Sequence, residues 1–261
     1  MKGIVLYKGK SNLNDSNIVV IMTLNSANRK TGNMAQTWIL NQDVSPVEAV
    51  KTGADVSVCG VCPLRQSIGG ACYVNVGQAP LAVWRAWRAG KYVENVIDNQ
   101  FTASDLLAVM LRHKTVRFGA YGDPAAAPTY IWSVLAKYAK GYTGYTHQVN
   151  HVNFDKNLSE FCMISVETIK QAQLITGLAP ISGSEHKAQH NSRTFRVITT
   201  DAPLLPNEIL CPSGEGIECR DCLLCSGNGY QPSIAIEVHG GRTNKHNAKY
   251  ANANIIKTVE V

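Results

Sequence analysis

Residues 161–177, FCMISVETIKQAQLITG, have the pattern of a buried strand that runs directly into a helix. The stretch 161–167 is almost continuously apolar, which is typical of a strand covered on both faces. The stretch 168–176 has the composition of a helix, and Gly177 suits the left-handed position that ends one. The unit predicted here is therefore one strand and one helix of an α/β protein.

The same alternation extends in both directions from this unit, beginning near residue 54. Predicted strands cover 55–58, 116–121, 144–148, 161–167, 194–199 and 234–238, and predicted helices cover 80–89, 102–113, 128–140 and 168–176. Short apolar strands separated by helices predict a parallel sheet. We expect a complete or partial (β/α) barrel, with a doubly wound open sheet as the alternative. In either architecture, ligands bind at the carboxyl ends of the strands.

Three regions are expected along the chain. Residues 1–52 are predicted to form an N-terminal β unit packed on the barrel, with strands at 4–7, 18–24 and 36–40 and a short helix at 46–51. Residues 53–205 would form the barrel core, including a first cysteine loop. Residues 206–261 would form a cysteine-rich metal-binding segment, the last strand and a basic tail.

Composition favours a soluble protein of the cytoplasm. Charged residues make up 17% of the chain, and we find no apolar run long enough to span a membrane and no signal peptide. The net charge of +6 and the basic isoelectric point permit binding to nucleic acid. We therefore expect a nucleobase or nucleic acid as the partner and no membrane.

Seven of the eight cysteines fall in two groups at opposite ends of the chain. The first group is Cys59, Cys62 and Cys72. The second group is Cys211, Cys219, Cys222 and Cys225, with His239 fourteen residues later. In a reducing compartment such spacing is more typical of metal binding than of disulfides.

Three thiolates on one loop suit a [4Fe–4S] cluster with one open iron, or a zinc ion with a further ligand from elsewhere. An open iron can bind a substrate or cofactor, so the three-ligand loop favours catalysis. A purely structural zinc loop is the alternative.

The first loop also carries a resemblance to known proteins. The motifs CGVCP (59–63) and CYVN (72–75), then YGDP (121–124) and GYTH (144–147), resemble a family of tailed-phage proteins and, more distantly, radical S-adenosylmethionine (SAM) enzymes. That resemblance implies a host-cell cytoplasmic enzyme in which the first group holds the cluster. It also implies that Gly122 and Asp123 lie against SAM and that Tyr73 contacts its adenine.

The second group predicts a closed site for Zn²⁺ or a second cluster, and such a site is normally structural. Its ligands are either the four cysteines or three of them with His239. Cys219, Cys222, Cys225 and His239 also resemble the zinc site of guanine transglycosylases, phage relatives of which insert a 7-deazaguanine into DNA. That resemblance implies Asp123 or Asp201 as the nucleophile.

Three further residues complete the candidate site. Asp123 is either an active-site acid or the cap of a following helix. Glu167 ends an apolar strand, where a carboxylate needs a partner. His147 is either a ligand or acid–base group or a satisfied polar histidine.

The reaction we expect is radical-SAM-like modification of a nucleobase or nucleic acid by an iron–sulfur enzyme. A zinc-containing DNA base-exchange enzyme is the second hypothesis. A zinc protein that binds nucleic acid or a host partner without catalysis is the third.

Overall fold

The structure is a computed structural model that describes residues 3–94, 97, 105–177, 192–200, 202–227, 229 and 231–254. The strands are β1 (Gly3–Lys10), β2 (Asn17–Thr23), β3 (Ala35–Asn41), β4 (Val93–Glu94), β5 (Thr115–Tyr121), β6 (Gly141–Thr143), β7 (Tyr145–Thr146), β8 (Met163–Val166), β9 (Thr194–Ile198), β10 (Glu208–Leu210) and β11 (Ser233–Glu237). The α-helices are α1 (Pro46–Thr52), α2 (Val56–Cys59), α3 (Ala79–Arg88), α4 (Asp105–Leu111), α5 (Thr129–Tyr138), α6 (Ile169–Thr176), α7 (Cys219–Cys222) and α8 (Thr243–Tyr250).

The strands form two sheets, and the pairing is mostly parallel. The first sheet has the order β4-β1-β2-β3-β5-β6, and the second has the order β10-β11-β9-β8-β7. Strand β2 pairs antiparallel with both β1 and β3, and all other pairs among the described strands are parallel. The mixed α/β class predicted from the alternation of strands and helices is therefore confirmed.

The two sheets meet at Gly144, the one residue between β6 and β7. Strand β6 pairs with β5, whereas β7 pairs with β8. The Gly144 N–H donates to the carbonyl of Cys225 at 2.9 Å instead of to a neighbouring strand. A Cβ at this position would lie 2.7 Å from the sulfur of Cys162, so only glycine fits the junction.

The complete barrel expected from the sequence is wrong. Among the residues that the structure describes, no sheet closes on itself: β4 and β10 are the outer strands of the two open sheets. The reason lies in the first three strands. They were expected to pack on the barrel as a separate unit, but β3 pairs with β5 and thereby extends the sheet.

The expected strand at 55–58 is also wrong, because these residues begin the short helix α2. The N–H of Cys59 donates to the carbonyl of Asp55 at 2.9 Å, which closes a helical turn. The Asp55 carboxylate accepts hydrogen bonds from Ser67 and pairs with Arg65 at 3.1 Å. Val58 is buried in the core, whereas Val56, which lies two residues earlier on the opposite side of the turn, is only partly buried.

Helix ends follow the local sequence closely. The Ser45 side chain caps α1, and Thr168 forms a capping box with Gln171 at the start of α6. Gly53 and Gly177 adopt left-handed conformations at the ends of these two helices. No helix in the described part of the chain is long and apolar enough to cross a membrane.

The second sheet contains a fully buried ion pair. Arg196 of β9 donates from Nε to Oε1 of Glu208 at 2.8 Å, and both side chains have no exposed surface. The other Glu208 oxygen accepts from the Leu205 N–H at 2.9 Å. This pair joins β9 to the first residue of β10.

We expect Glu208→Ala to lower the free energy of unfolding by about 3–5 kcal/mol, because Arg196 would keep a buried charge without its partner. Urea denaturation measures this change. The matched control is Glu94→Ala, which removes the exposed pair with Lys8 and should cost at most about 1 kcal/mol. Equal effects of the two substitutions would contradict this account of the buried pair.

Candidate functional site

One cavity of about 280 Å³ receives both groups of cysteines, although they are far apart in the sequence. All seven clustered cysteines line it: Cys59, Cys62, Cys72, Cys211, Cys219, Cys222 and Cys225. The lining also includes residues that follow parallel strands, among them Asp123 after β5, His147 after β7 and His239 after β11. The cavity therefore lies at the carboxyl ends of the strands, where α/β proteins bind ligands.

The backbone of the first cysteine loop accepts hydrogen bonds from a side chain within the loop and from one outside it. Cys59 ends α2, and the Arg65 guanidinium donates to the carbonyl of Gly60 at 2.6 Å while pairing with Asp55. From outside the loop, the Gln148 side chain donates to the carbonyl of Cys59 at 2.9 Å and accepts from the Val61 N–H at 3.0 Å. These contacts fix the backbone that presents the thiols.

Burial and mutual repulsion raise the pKa of thiols in this loop. The pKa of Cys59 lies well above its usual value, first because the thiol is buried and then because Cys62, Cys72 and Asp55 are close. Burial likewise raises the pKa of Cys72. Such thiols stay protonated until a positively charged centre replaces their protons.

Asp123 is buried, and its carboxylate accepts four hydrogen bonds. One oxygen accepts from the Ala125 N–H at 3.0 Å and the Thr146 hydroxyl at 2.7 Å. The other accepts from the His147 N–H at 2.8 Å and the Gln148 amide at 3.2 Å. The bond to Ala125 is that of a cap at the start of the following 3₁₀ turn, the second of the two roles considered for this residue.

His147 and Glu167 form a pair next to the first loop. The Nε2 atom of His147 lies 2.7 Å from Oε1 of Glu167, which is only 2% exposed. Burial lowers the pKa of His147, but Cys62 and Glu167 raise it, and the net pKa lies well above the usual value. The carboxylate at the end of β8 thus has the partner that its burial requires.

The second cysteine group is attached to both sheets. Cys211 follows β10, and its N–H donates to the Ala235 carbonyl of β11 at 2.7 Å. Cys219 donates from its N–H to Lys30 in the loop before β3 at 2.9 Å, and Cys225 accepts from Gly144. The Arg193 guanidinium supports this segment by donating to the carbonyls of Leu224, Gly227 and Pro232.

Thiols of the second group are also shifted. Burial is the main cause that raises the pKa of Cys225 to about 12. A hydrogen bond with the Tyr145 hydroxyl opposes this shift, and the neighbouring Cys211, Cys219 and Cys222 add to it. Burial also raises the pKa of Cys219, while Arg117 lowers it. Each group therefore contains thiols whose pKa is raised mainly by burial, Cys59 and Cys72 in the first and Cys219 and Cys225 in the second.

Arg117 and Tyr73 stand between the cysteine cavity and a second cavity. The guanidinium donates to the Tyr73 hydroxyl at 2.8 Å, and both residues line both cavities. The second cavity measures about 670 Å³. Its polar lining is rich in amides: Asn25, Asn28, Gln36, Asn75 and Gln78.

His239 lies against the first loop as well as in the shared cavity. Its ring is 5.7 Å from the ring of Tyr73, the residue after Cys72. Its Nδ1 atom lies 2.9 Å from the carbonyl of Glu237, so an N–H there leaves Nε2 free to accept a hydrogen bond or bind a metal.

Among the described residues, no three or more His, Cys, Asp or Glu side chains are close enough to hold one metal ion. Ligands of one tetrahedral zinc would stand only about 3.8 Å apart, given a Zn–S bond of about 2.3 Å. In an iron–sulfur cluster each thiolate binds a different iron, so wider spacing is compatible with a cluster.

The structure brings together most of the residues singled out from the sequence. Tyr73, Gly122, Asp123, His147, His239 and the seven cysteines line one cavity, and Glu167 reaches it through His147. Asp201 lies outside the described residues. Three residues were missed: Gln148, Arg117 and His246. Each is an isolated polar residue whose role depends on contacts with distant segments.

Comparisons of the chain with protein-family models, with curated proteins and with solved structures find no match. The resemblances to phage proteins, radical SAM enzymes and guanine transglycosylases therefore stay predictions. Function has to be argued from the geometry of the site.

We expect Asp123→Ala to lower the free energy of unfolding by about 3 kcal/mol or more, because it removes an acceptor of four hydrogen bonds. Urea denaturation of the purified protein measures the loss. Asp155→Ala is the control: this exposed cap accepts only from the Asn157 N–H, and its loss should cost about 1 kcal/mol. A carboxylate that served catalysis alone would give no such difference in stability.

Proposed function

We propose that this protein is an iron–sulfur enzyme of the radical SAM type that modifies a nucleobase or nucleic acid. The observation that carries the proposal is the single cavity lined by both cysteine groups. A closed structural metal site has no need of a cavity, whereas a reaction centre requires room for its substrate beside the metal.

The first cysteine group suits a cluster with one open iron. Cys59, Cys62 and Cys72 are free thiols on a loop fixed by Arg65 and Gln148. They supply three thiol ligands for the four irons of a [4Fe–4S] cluster, which would leave one iron open. We assign the [4Fe–4S] cluster to these three residues, with SAM beside them against Tyr73 and Gly122.

The arrangement of the parallel strands also belongs to this proposal. The strands from β3 through β5, β6, β7, β8, β9, β11 to β10 pair in one parallel series interrupted only at Gly144. We interpret this series as a partial (β/α) barrel. In such an arrangement the loop after the first strand and the turn after the second both point toward the open end, as Cys59 and Gly122 do.

A [4Fe–4S] cluster held by Cys59, Cys62 and Cys72 would supply one-electron chemistry toward SAM. The chain's own residues would position the cysteine loop and hold a proton in the cavity. Gln148 and Arg65 fix the cysteine loop, and Asp123 fixes Gln148. His147, held by Glu167 at Nε2, lines the same cavity and can hold a proton there.

The second cysteine group would hold Zn²⁺ or a second cluster. Cys211, Cys219, Cys222 and Cys225 supply four thiols, and all of them line the cavity. The Tyr145 hydroxyl bonds to Cys225, and Arg117 lies close to Cys219. This placement supports a second centre that faces the substrate and does more than hold the fold.

The amide-rich second cavity supports a nucleobase or nucleic acid as the substrate. Amide side chains offer both donors and acceptors, as the edges of bases do. Arg117, which faces both cavities, offers a charge for a phosphate group. A substrate could therefore place its reacting part among the cysteines and its remainder among the amides.

We expect anaerobically purified protein to contain about four iron and four sulfide per chain at the first group, with further iron or zinc at the second. Cys62→Ala should lose the first set of metal, and Cys222→Ala should lose only the second. The matched control is Cys162→Ala, because Cys162 is fully buried in the core and does not line the cavity. Elemental analysis and visible absorption provide the measurement.

Zinc without iron would overturn this proposal and leave two zinc hypotheses. Base exchange predicts incorporation of labelled 7-deazaguanine into DNA, abolished by Asp123→Ala or Asp201→Ala. The four hydrogen bonds to Asp123 argue against it as a nucleophile, since its lone pairs are already engaged. A non-enzymatic protein would bind nucleic acid in a salt-dependent way without turnover.

A further inference from the structure

Helix α8 covers the cysteine cavity next to the first loop. Its inner face carries Arg242 at the start, then His246 and Tyr250 at four-residue intervals. Arg242 donates to the Gln66 side chain of the first cysteine loop at 3.1 Å. Gly240, just before the helix, lies against Tyr73. The helix is thus tied to the loop that carries Cys59, Cys62 and Cys72.

His246 lies in the cavity wall with neither ring nitrogen hydrogen-bonded among the described residues. It is only 2% exposed, and its ring packs on Tyr250 at a centroid distance of 5.0 Å. The Asn247 side chain and the Glu167 carboxylate lie near enough to act on the pKa of the ring, but the Asn247 oxygen has no hydrogen-bond partner among the described residues. His147 and His239 differ, since each has a polar partner.

Buried polar groups in proteins almost always have partners, so this imidazole is a position at which a bound molecule can supply one. Burial lowers the pKa of His246, which keeps the ring neutral at physiological pH. A neutral imidazole offers an N–H donor or a bare nitrogen acceptor to the cavity, depending on its tautomer. It therefore fits an uncharged group that carries donors and acceptors side by side.

We propose that His246 binds the base of the substrate by a hydrogen bond to the base edge. The cavity lining includes the rings of Tyr145 and Phe195, against which a flat heterocycle can stack. The choice of a base as the ligand rests on the proposed function, but the contact with His246 rests on the cavity.

The test measures nucleoside binding to anaerobically purified full-length protein by isothermal titration calorimetry. Guanosine, adenosine, cytidine and thymidine are the probes, and saturating S-adenosylhomocysteine is present throughout so that any site for the adenine of SAM is filled. The variants are His246→Leu, which removes the hydrogen bond, and His246→Gln, which keeps a donor and an acceptor. His113→Leu is the control, because His113 is exposed and does not line the cavity.

We expect at least one nucleoside to bind, His246→Leu to weaken its binding about tenfold, and His246→Gln and the control to stay within about threefold of wild type. Absence of nucleoside binding, or equal affinity in His246→Leu, would overturn the inference. So would a loss of iron in His246→Leu, which would make the residue a metal ligand, or weakened binding of S-adenosylhomocysteine alone.

The iron content of the same samples separates this inference from the proposed function. Zinc-containing protein that binds a nucleoside through His246 would refute the iron–sulfur proposal and keep the inference. Iron-loaded protein that binds no nucleoside would refute the inference and keep the iron–sulfur proposal.

Discussion

The buried carboxylate of Asp123 is the point to which the segments of the site are fixed. It accepts from the turn that follows β5 and from three consecutive residues, Thr146 to Gln148, at the end of β7. The backbone N–H of Asp123 donates to the carbonyl of Val58, which lies directly before the first cysteine loop. One residue therefore sets the relative positions of the end of β5, the end of β7 and the first cysteine loop.

The meeting of the two cysteine groups follows from parallel pairing. Parallel strands place all their carboxyl ends at one edge, so loops that are distant in sequence become neighbours there. The first group enters this edge from the helices after β3, and the second enters from the end of β10. The break at Gly144 allows the second group to bind the backbone between the two sheets through Cys225.

Local sequence signals predicted most of the elements, and long-range pairing explains the failures. Ser45, Pro46 and Gly53 determine α1, and Gly177 ends α6, because caps act within one turn. The segment 55–58 was misjudged, since its alternation suits a strand and only the contacts of Asp55 with Arg65 and Ser67 favour a turn. Strand β10 and helices α7 and α8 were missed, as they are short or polar and depend on packing against distant segments.

For the site, the residue types were predictable and their arrangement was not. Cysteine spacing identified the metal-binding candidates, but nothing in the spacing places Cys59 and Cys225 at one cavity. Strand order decides that, and it depends on pairings such as β9 with β11 that no local pattern reports. The site roles of Gln148 and His246 were not predicted for the same reason, because the role of such a polar residue depends on which distant residues it contacts.

The shared cavity brings the two cysteine groups together, and the same electrostatic effect acts within each of them. Thiols in an apolar enclosure resist ionisation, as the raised pKa values of Cys59 and Cys225 show. Each thiolate formed without a cation makes the next one in the same group harder to form. A metal centre reverses this by replacing protons with its own charge, so metal binding must release protons and favour the folded loop. Arg117, which donates to Tyr73 beside the first group and lies close to Cys219 of the second, places a fixed positive charge in the wall of this cavity.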